Sequence, residues 1–89
     1  MKLFIIHAGY YDDEIGIYEL HTNFLITARS INEVKSKVMD KEIFKKKNMH
    51  IDAVQEIDTV EGYKLHLTGS GTNDTKLNSY DYTKIKQLC

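Results

Sequence analysis

The sequence predicts an α+β domain: an antiparallel β-sheet in β-β-α-β-β order, with one covering helix and a C-terminal tail. Three observations carry this prediction. Residues 17–28 alternate apolar and polar at the period of a half-buried strand. Ser30-Ile31-Asn32-Glu33 has the spacing of a helix capping box. Alternation then returns over residues 63–68, so strands lie on both sides of a single helical stretch.

Taken in order, Leu3 to Ala8 is a short apolar run that ends at Gly9, the length and composition of a strand buried on at least one face. Tyr10 to Gly16 joins three acids to flanking glycines and suits a hairpin loop longer than two residues. On the second strand, from Ile17 to Ala28, Tyr18, Leu20, Thr22, Phe24 and Ile26 share one face, and Glu19, His21 and Asn23 share the other. The helix should begin at Ile31, with Ser30 accepting from the Glu33 amide and Glu33 reaching back to the cap. Ile31, Val34, Val38 and Met39 form its apolar stripe. The cations Lys45-Lys46-Lys47 suit a carbonyl end, which places the stop between residues 43 and 48.

Residues 51–59 read as a third strand with a mixed pattern: Ile51, Ala53 and Ile57 fall on one parity, Val54 and Val60 on the other. Glu61-Gly62 makes a turn into a fourth strand, on which Tyr63, Leu65 and Leu67 point inward and Lys64, His66 and Thr68 outward. Residues 1–68 thus form one domain, and the Gly/Ser-rich residues 69–73 a linker. Residues 74–89 form a tail that packs on the same domain or on a partner subunit. Leu77, Tyr80 or Asp81, Ile85 and Leu88 have near-helical spacing, which favours a short helix, although Tyr80 and Tyr82 would also suit a strand. One helix cannot cover four strands on both faces. Either the tail or a second copy covers the rest, and the absence of proline leaves the sheet edges open to pairing.

With 42% hydrophobic and 28% charged residues in 89, the composition is that of a single globular domain and excludes a multi-domain enzyme. A domain of this size buries only about 60–65% of its unfolded surface, so association into a homodimer would help it. Twelve basic and thirteen acidic residues nearly cancel, and no overall field draws the chain to nucleic acid or an anionic membrane. The charge is nonetheless segregated, with seven basic against three acidic residues in 29–50. Lys35, Lys37, Lys41, Lys45, Lys46 and Lys47 could meet phosphates or an acidic partner. Against nucleic acid, Glu33, Asp40 and Glu42 interrupt the patch, which lacks arginine and nearby stacking tyrosines; its plainer reading is a solvated helix face. The single cysteine, Cys89, permits no internal disulfide, which favours a reducing, cytoplasmic setting while leaving a link between two chains open. The apolar run Leu3–Ile6 is too short for a membrane span or a signal-peptide core.

The residues that could carry chemistry are mostly histidines and carboxylates. Glu19 and His21 lie one pleat apart on strand two, and a hairpin closing about residues 12–13 would pair His7 with Tyr18 or Glu19, on the same face. His50 and Asp52 repeat the i, i+2 spacing at the start of strand three. Such a group suits zinc or a related divalent ion, because neutral imidazoles and carboxylates are its usual donors. It equally suits a general acid/base pair, with His7, Glu19 and His21 as the catalytic candidates and His50 and Asp52 as binding residues. The plain alternative is the polar face of an amphipathic strand, with His7 and His50 hydrogen-bonding at strand ends. Tyr10 and Tyr11, beside the acidic loop, are candidate anchors for a partner. Asp12-Asp13-Glu14 lacks the spacing of an EF-hand and reads as a solvated turn. No H-E-x-x-H, C-x-x-C, G-x-S-x-G, P-loop or dinucleotide fingerprint occurs, so the metalloprotease, redox, hydrolase and nucleotide-binding templates lack support and the cofactor is left open.

Several stretches together carry a family likeness: Leu3-Phe4-Ile5-Ile6-His7-Ala8-Gly9-Tyr10, Ile17-Tyr18-Glu19-Leu20-His21, Met49-His50-Ile51-Asp52 through Glu56-Ile57-Asp58, and Val60-Glu61-Gly62-Tyr63-Lys64-Leu65. Over residues 1–68 the chain resembles a bacterial family, domain of unknown function 1543. Members of that family often hold two copies of such a unit, and the resemblance therefore implies that a homodimer of this single copy stands in for the pair. It implies no substrate, cofactor or catalytic residue. The leading expectation is a small cytoplasmic, homodimeric protein-interaction module. The alternatives are a small enzyme or ligand- or metal-binding domain using the His/carboxylate cluster, and a nucleic-acid-associated regulator using the lysine-rich helix.

Overall fold

The computed structural model describes residues 1–88 and contains an antiparallel sheet with short helices in the order the sequence predicts. The thiol of Cys89, and any link through it, lies outside the described residues. Strand β1 (Lys2–Tyr11) is central, flanked by β2 (Glu19–Ala28) and β3 (His50–Ile57), both antiparallel to it. Helices α1 (Ile31–Met39) and α2 (Glu42–Lys46) connect β2 to β3 and cover one face. Among the described residues no helix is long and apolar enough to cross a membrane.

The core lies between that face and the helices. Phe4, Ile6 and Ala8 of β1, Ile26 and Ala28 of β2, Val34 and Val38 of α1, Phe44 of α2, and Met49 are buried together. Alternation on β1 sends its even-numbered residues inward, while Leu3, Ile5, His7 and Gly9 point to the open face. Strand β1 runs two residues past the expected stop, because Gly9 keeps a strand conformation and its ladder partners continue through Tyr11 and Glu19. The hairpin therefore closes around Ile15, not around residues 12–13, and His7 pairs with Asn23 instead of Tyr18 or Glu19. Ile17 and Tyr18, expected on the strand, are exposed in the loop. Amides of Ile15 and Gly16 donate to the Asp12 carbonyl, and Asp12 Oδ1 accepts from the Glu14 amide.

The helix starts where the capping box places it: Ser30 Oγ accepts from the Glu33 amide at 3.4 Å. Glu33 Oε2 in turn accepts from the Arg29 amide, one residue before the cap. Of the apolar stripe, Val34 and Val38 are fully buried, but Ile31 and Met39 are exposed on its margin. The helix is not continuous. At about 100° per residue a straight continuation would bring Lys41 onto the core and turn Phe44 roughly 80° away from Val34. An extended Lys41 (ψ 134°) breaks the helix and allows Phe44 to be buried. The stop falls within the expected window. Asn48 takes the left-handed conformation (φ 48°) and the Met49 amide donates to the Phe44 carbonyl, the 6→1 bond of a Schellman motif.

The mixed parity of residues 51–59 has a structural cause. Register on β1 runs from Leu3↔Ile57 to His7↔Ala53 and resumes at Ala8↔Ile51, so Asp52 is an extra residue, a β-bulge. The bulge lets Ile51 and Val54, three residues apart, both pack against the core. Beyond β3 the sequence expectation is met only in part. The expected fourth strand over 63–68 is reduced to β5 (Tyr63–Lys64), paired with β4 (Thr59–Val60) in a two-stranded ribbon separate from the main sheet. Glu61 (φ 51°) and Gly62 (φ 88°) make the two-residue turn with both centres left-handed. Tyr63 points to solvent at 80% exposure, because the ribbon has no face packed on the core. The tail carries the short helix α3 (Tyr82–Lys86), capped by Asp81, whose carboxylate accepts from the Lys84 amide; residues 66–88 are exposed throughout.

The acidic loop and the lysine stretch meet within one chain. Lys47 Nζ lies 2.9 Å from Asp12 Oδ2, tying the β1–β2 loop to the end of α2. The bond to Lys47, with the Glu14 amide, holds the Asp12 carboxyl below the ordinary carboxylate range, and Asp12 raises Lys47 in turn. A lowered acid contributes stability that is present above its unfolded pKa and lost as pH falls through the folded value; a raised lysine loses its contribution as pH rises through its folded value. The pair thus supports the fold across neutral pH and fails at both extremes. Asp12→Asn is expected to flatten both limbs of the melting temperature against pH, measured by circular dichroism.

Candidate metal centre

The site is built from three strands around the residue with no side chain. Gly9 pairs with His21 on one side and His50 on the other, all on the open face. A Cβ added at Gly9 would stand 2.7 Å from His50 Nε2 and 2.8 Å from Asp52 Oδ2, and would collide with Glu19 Oε1. Gly9 is therefore the floor over which these side chains close, and glycine is required there for space, since its φ is not in the left-handed region.

Each donor reaches this floor for a local reason. Glu19 and His21 share a face by the two-residue period of β2. His7 lies one pleat from Gly9 on β1. His50 begins β3 opposite Gly9, and the bulge leaves Asp52 without a ladder partner, free to turn onto the same face. The sequence pattern groups His7, Glu19 and His21 on one face and gives His50 and Asp52 only their i, i+2 spacing; the register of the three strands brings the five together. Asn23 belongs with them: its Oδ1 accepts from His7 Nδ1 at 2.9 Å, which leaves Nε2 as the ring nitrogen not engaged by Asn23. The rings of His7 and His21 stack at 4.8 Å between centroids, 11° from parallel.

The carboxylates lie between the imidazoles. His50 Nε2 is 2.9 Å from Glu19 Oε1 and 3.1 Å from Asp52 Oδ1. His21 Nε2 is 3.4 Å from Glu19 Oε1 and 3.4 Å from Asp52 Oδ2. All are partly open to water, with His50 the most exposed at 49% of its side chain. Contacts as open to water as these contribute little to stability, the 2.9 Å hydrogen bond between His50 and Glu19 included. Chemically the group offers imidazole nitrogens and carboxylate oxygens, the donor set of a first-row divalent cation.

The other expected site residues are placed elsewhere. Tyr10 pairs with Leu20 on the helix-covered face and packs against the core. Tyr11 is exposed beside the groove formed by Asp12, Asp13, Glu14, Lys46 and Lys47. Neither joins the histidines. His66 lies in the exposed segment beyond β5. Neither Gly9 nor the role of Asn23 is visible in the sequence pattern, because both depend on the register that sets Gly9 opposite His21 and His50 and His7 opposite Asn23.

Of the lysine stretch, Lys37 reaches the Thr27 carbonyl and Glu33, Lys41 sits over the Phe24 ring, Lys45 pairs with Asp40 and Lys47 with Asp12. These cations are occupied within the domain.

Comparison with known proteins gives one result. Residues 16–67, more than half of the chain, match the family model described as Domain of Unknown Function (DUF1543), a span that includes Glu19, His21, His50 and Asp52 but not His7 or Gly9. No curated protein and no solved structure gives a match. With its sheet, its helical connection and its matched span in hand, the chain belongs to the DUF1543 family, a domain of unknown function.

Proposed function

We propose that this domain is a small metal-binding module that holds a divalent cation of the zinc class on the open face of its sheet. The observation that supports this reading is the convergence of His7, Glu19, His21, His50 and Asp52 over Gly9. Bonds of 2.0–2.1 Å to a tetrahedral ion set its donors about 3.3 Å apart. The spacings of 2.9, 3.1 and 3.4 Å between the ring nitrogens of His50 and His21 and the carboxylate oxygens bracket that edge. His7 also has the outer partner that metal-bound imidazoles keep, the Asn23 amide oxygen on its far nitrogen.

The test is native mass spectrometry of the full chain purified without chelator, and again after adding Zn(II). A stoichiometric adduct that is diminished by His21→Ala and by His50→Ala, and abolished when the two are combined, is the expected result. A chain that takes up no Zn(II), or one that binds it equally well in both variants, overturns the proposal.

A homodimeric interaction module in the cytoplasm is the second reading. It is favoured by the two uncovered edges of the three-stranded sheet and by exposed apolar side chains on the tail, Leu77, Tyr80, Tyr82, Ile85 and Leu88. The same spectrum reports subunit count, and a monomer at every concentration would remove this reading.

A further inference from the structure

We infer that the centre holds two divalent cations, with the Asp52 carboxylate bridging them. The inference rests on the metal-binding reading above and deepens it. The donors separate into two triads: His7, His21 and Asp52 form one, and Glu19, His50 and Asp52 the other, the donor atoms in each lying within 4.8 Å of one another. Asp52 is the member common to both. Its two oxygens are divided between them, Oδ2 at 3.4 Å from His21 Nε2 and Oδ1 at 3.1 Å from His50 Nε2. That division is the arrangement of a carboxylate bridging two ions, which in paired centres lie about 3.5–4 Å apart.

Donor number points the same way. Zinc takes four ligands as a rule, and open sites use three protein donors with one position left for water or a ligand. Five converging side chains exceed one open site. Two triads sharing a bridge use all five, give each ion three protein donors and leave each a position towards solvent. The protein builds a special backbone feature for the bridging residue: Asp52 is the bulged residue of β3, released from the ladder that fixes its neighbours. The shared carboxylate also offsets repulsion between two adjacent dications, and Glu19 Oε1, 2.9 Å from His50 and 3.4 Å from His21, adds a second negative charge between the imidazoles. The donors, nitrogen and carboxylate oxygen with no thiolate, suit ions such as Zn(II), Mn(II) or Fe(II).

Zn(II) titration of the chelator-stripped full chain, followed by native mass spectrometry, distinguishes the possibilities. Two ions per chain are expected at saturation. His7→Ala and Glu19→Gln each should retain one ion, because each removes a donor from a single triad. Asp52→Asn should lose the paired state, and Asp52→Asn combined with His21→Ala should retain none; circular dichroism checks that each variant keeps its fold. Saturation at one ion per chain, or one ion shared by two chains, overturns the paired centre and leaves the metal-binding reading standing. Retention of two ions by Asp52→Asn, or of one by the double variant, also overturns it, since binding would then not depend on the carboxylate that joins the two triads. Failure to bind any Zn(II) overturns both.

Discussion

Gly9→Ala is expected to abolish stoichiometric cation binding, or to raise Kd by a factor of about 10–100 or more, while leaving the fold intact. The separation of the two effects follows from what the new methyl group meets. Its three nearest neighbours are the far ends of Glu19, His50 and Asp52 side chains, all partly exposed and able to swing outward. No backbone atom is among them. The collision is therefore relieved by moving the donors apart, and displacement of supporting groups in metal sites costs about that range in affinity. On the stability side, replacing glycine in a strand at an ordinary φ restricts the unfolded chain and contributes on the order of 0.4–1 kcal/mol in favour of folding. Isothermal titration with Zn(II), run beside thermal melts of the metal-free proteins, measures both. A variant that binds normally would show that the floor of the cluster is not where the ion sits. A variant that unfolds would show that the open face is more tightly packed than its exposure implies.

Ile6→Ala should have the largest effect on stability. Ile6 is fully buried at the middle of the central strand, beneath Val34 and Val38 of α1, which are also without solvent contact. Removing a buried Ile to Ala costs about 2–5 kcal/mol, through lost transfer energy and the cavity left behind. Domains of this size have total stabilities of only about 4–13 kcal/mol at the usual value per residue. The loss is thus a large fraction of the whole, and at about 4–8 °C per kcal/mol the melting temperature should fall by roughly 10–30 °C. Leu25→Ala, on the open face at 43% exposure, is the comparison and should change little. Urea unfolding of the two variants checks the contrast; equal losses would mean that the open face is as much a core as the covered one.

How much of this was legible depends on which physical signal each feature leaves. The faces of β2 were readable because alternation repeats over many residues, and the start of α1 because a capping box is local chemistry. The turn at Glu61-Gly62 was readable for the same reason. The hairpin register was not: the loop from Asp12 to Tyr18 contains no short turn signal that fixes where pairing begins. His7 still fell on the correct face, because Glu19 and Asn23 have the same parity on β2. The bulge left its trace as the parity break between Ile51 and Val54, but a period of two has no place for an extra residue, so the trace was read as a weaker strand. The break between α1 and α2 has no glycine or proline to announce it; it comes from the competition between Lys41 and Phe44 for the core, which is a tertiary effect.

The placement of the donors on three strands has a consequence for the chain as a polymer. His7, His21 and His50 are remote in sequence, and they come together only when the central strand has both neighbours in register. An ion held among them would act as a cross-link, closing long loops whose ends an unfolded chain brings together only at an entropic cost. Binding would then draw the folding equilibrium with it, because the unfolded chain offers no assembled site. For a domain whose apolar core lies on one side of its sheet, the opposite face would serve as a clasp, made of coordination in place of packing.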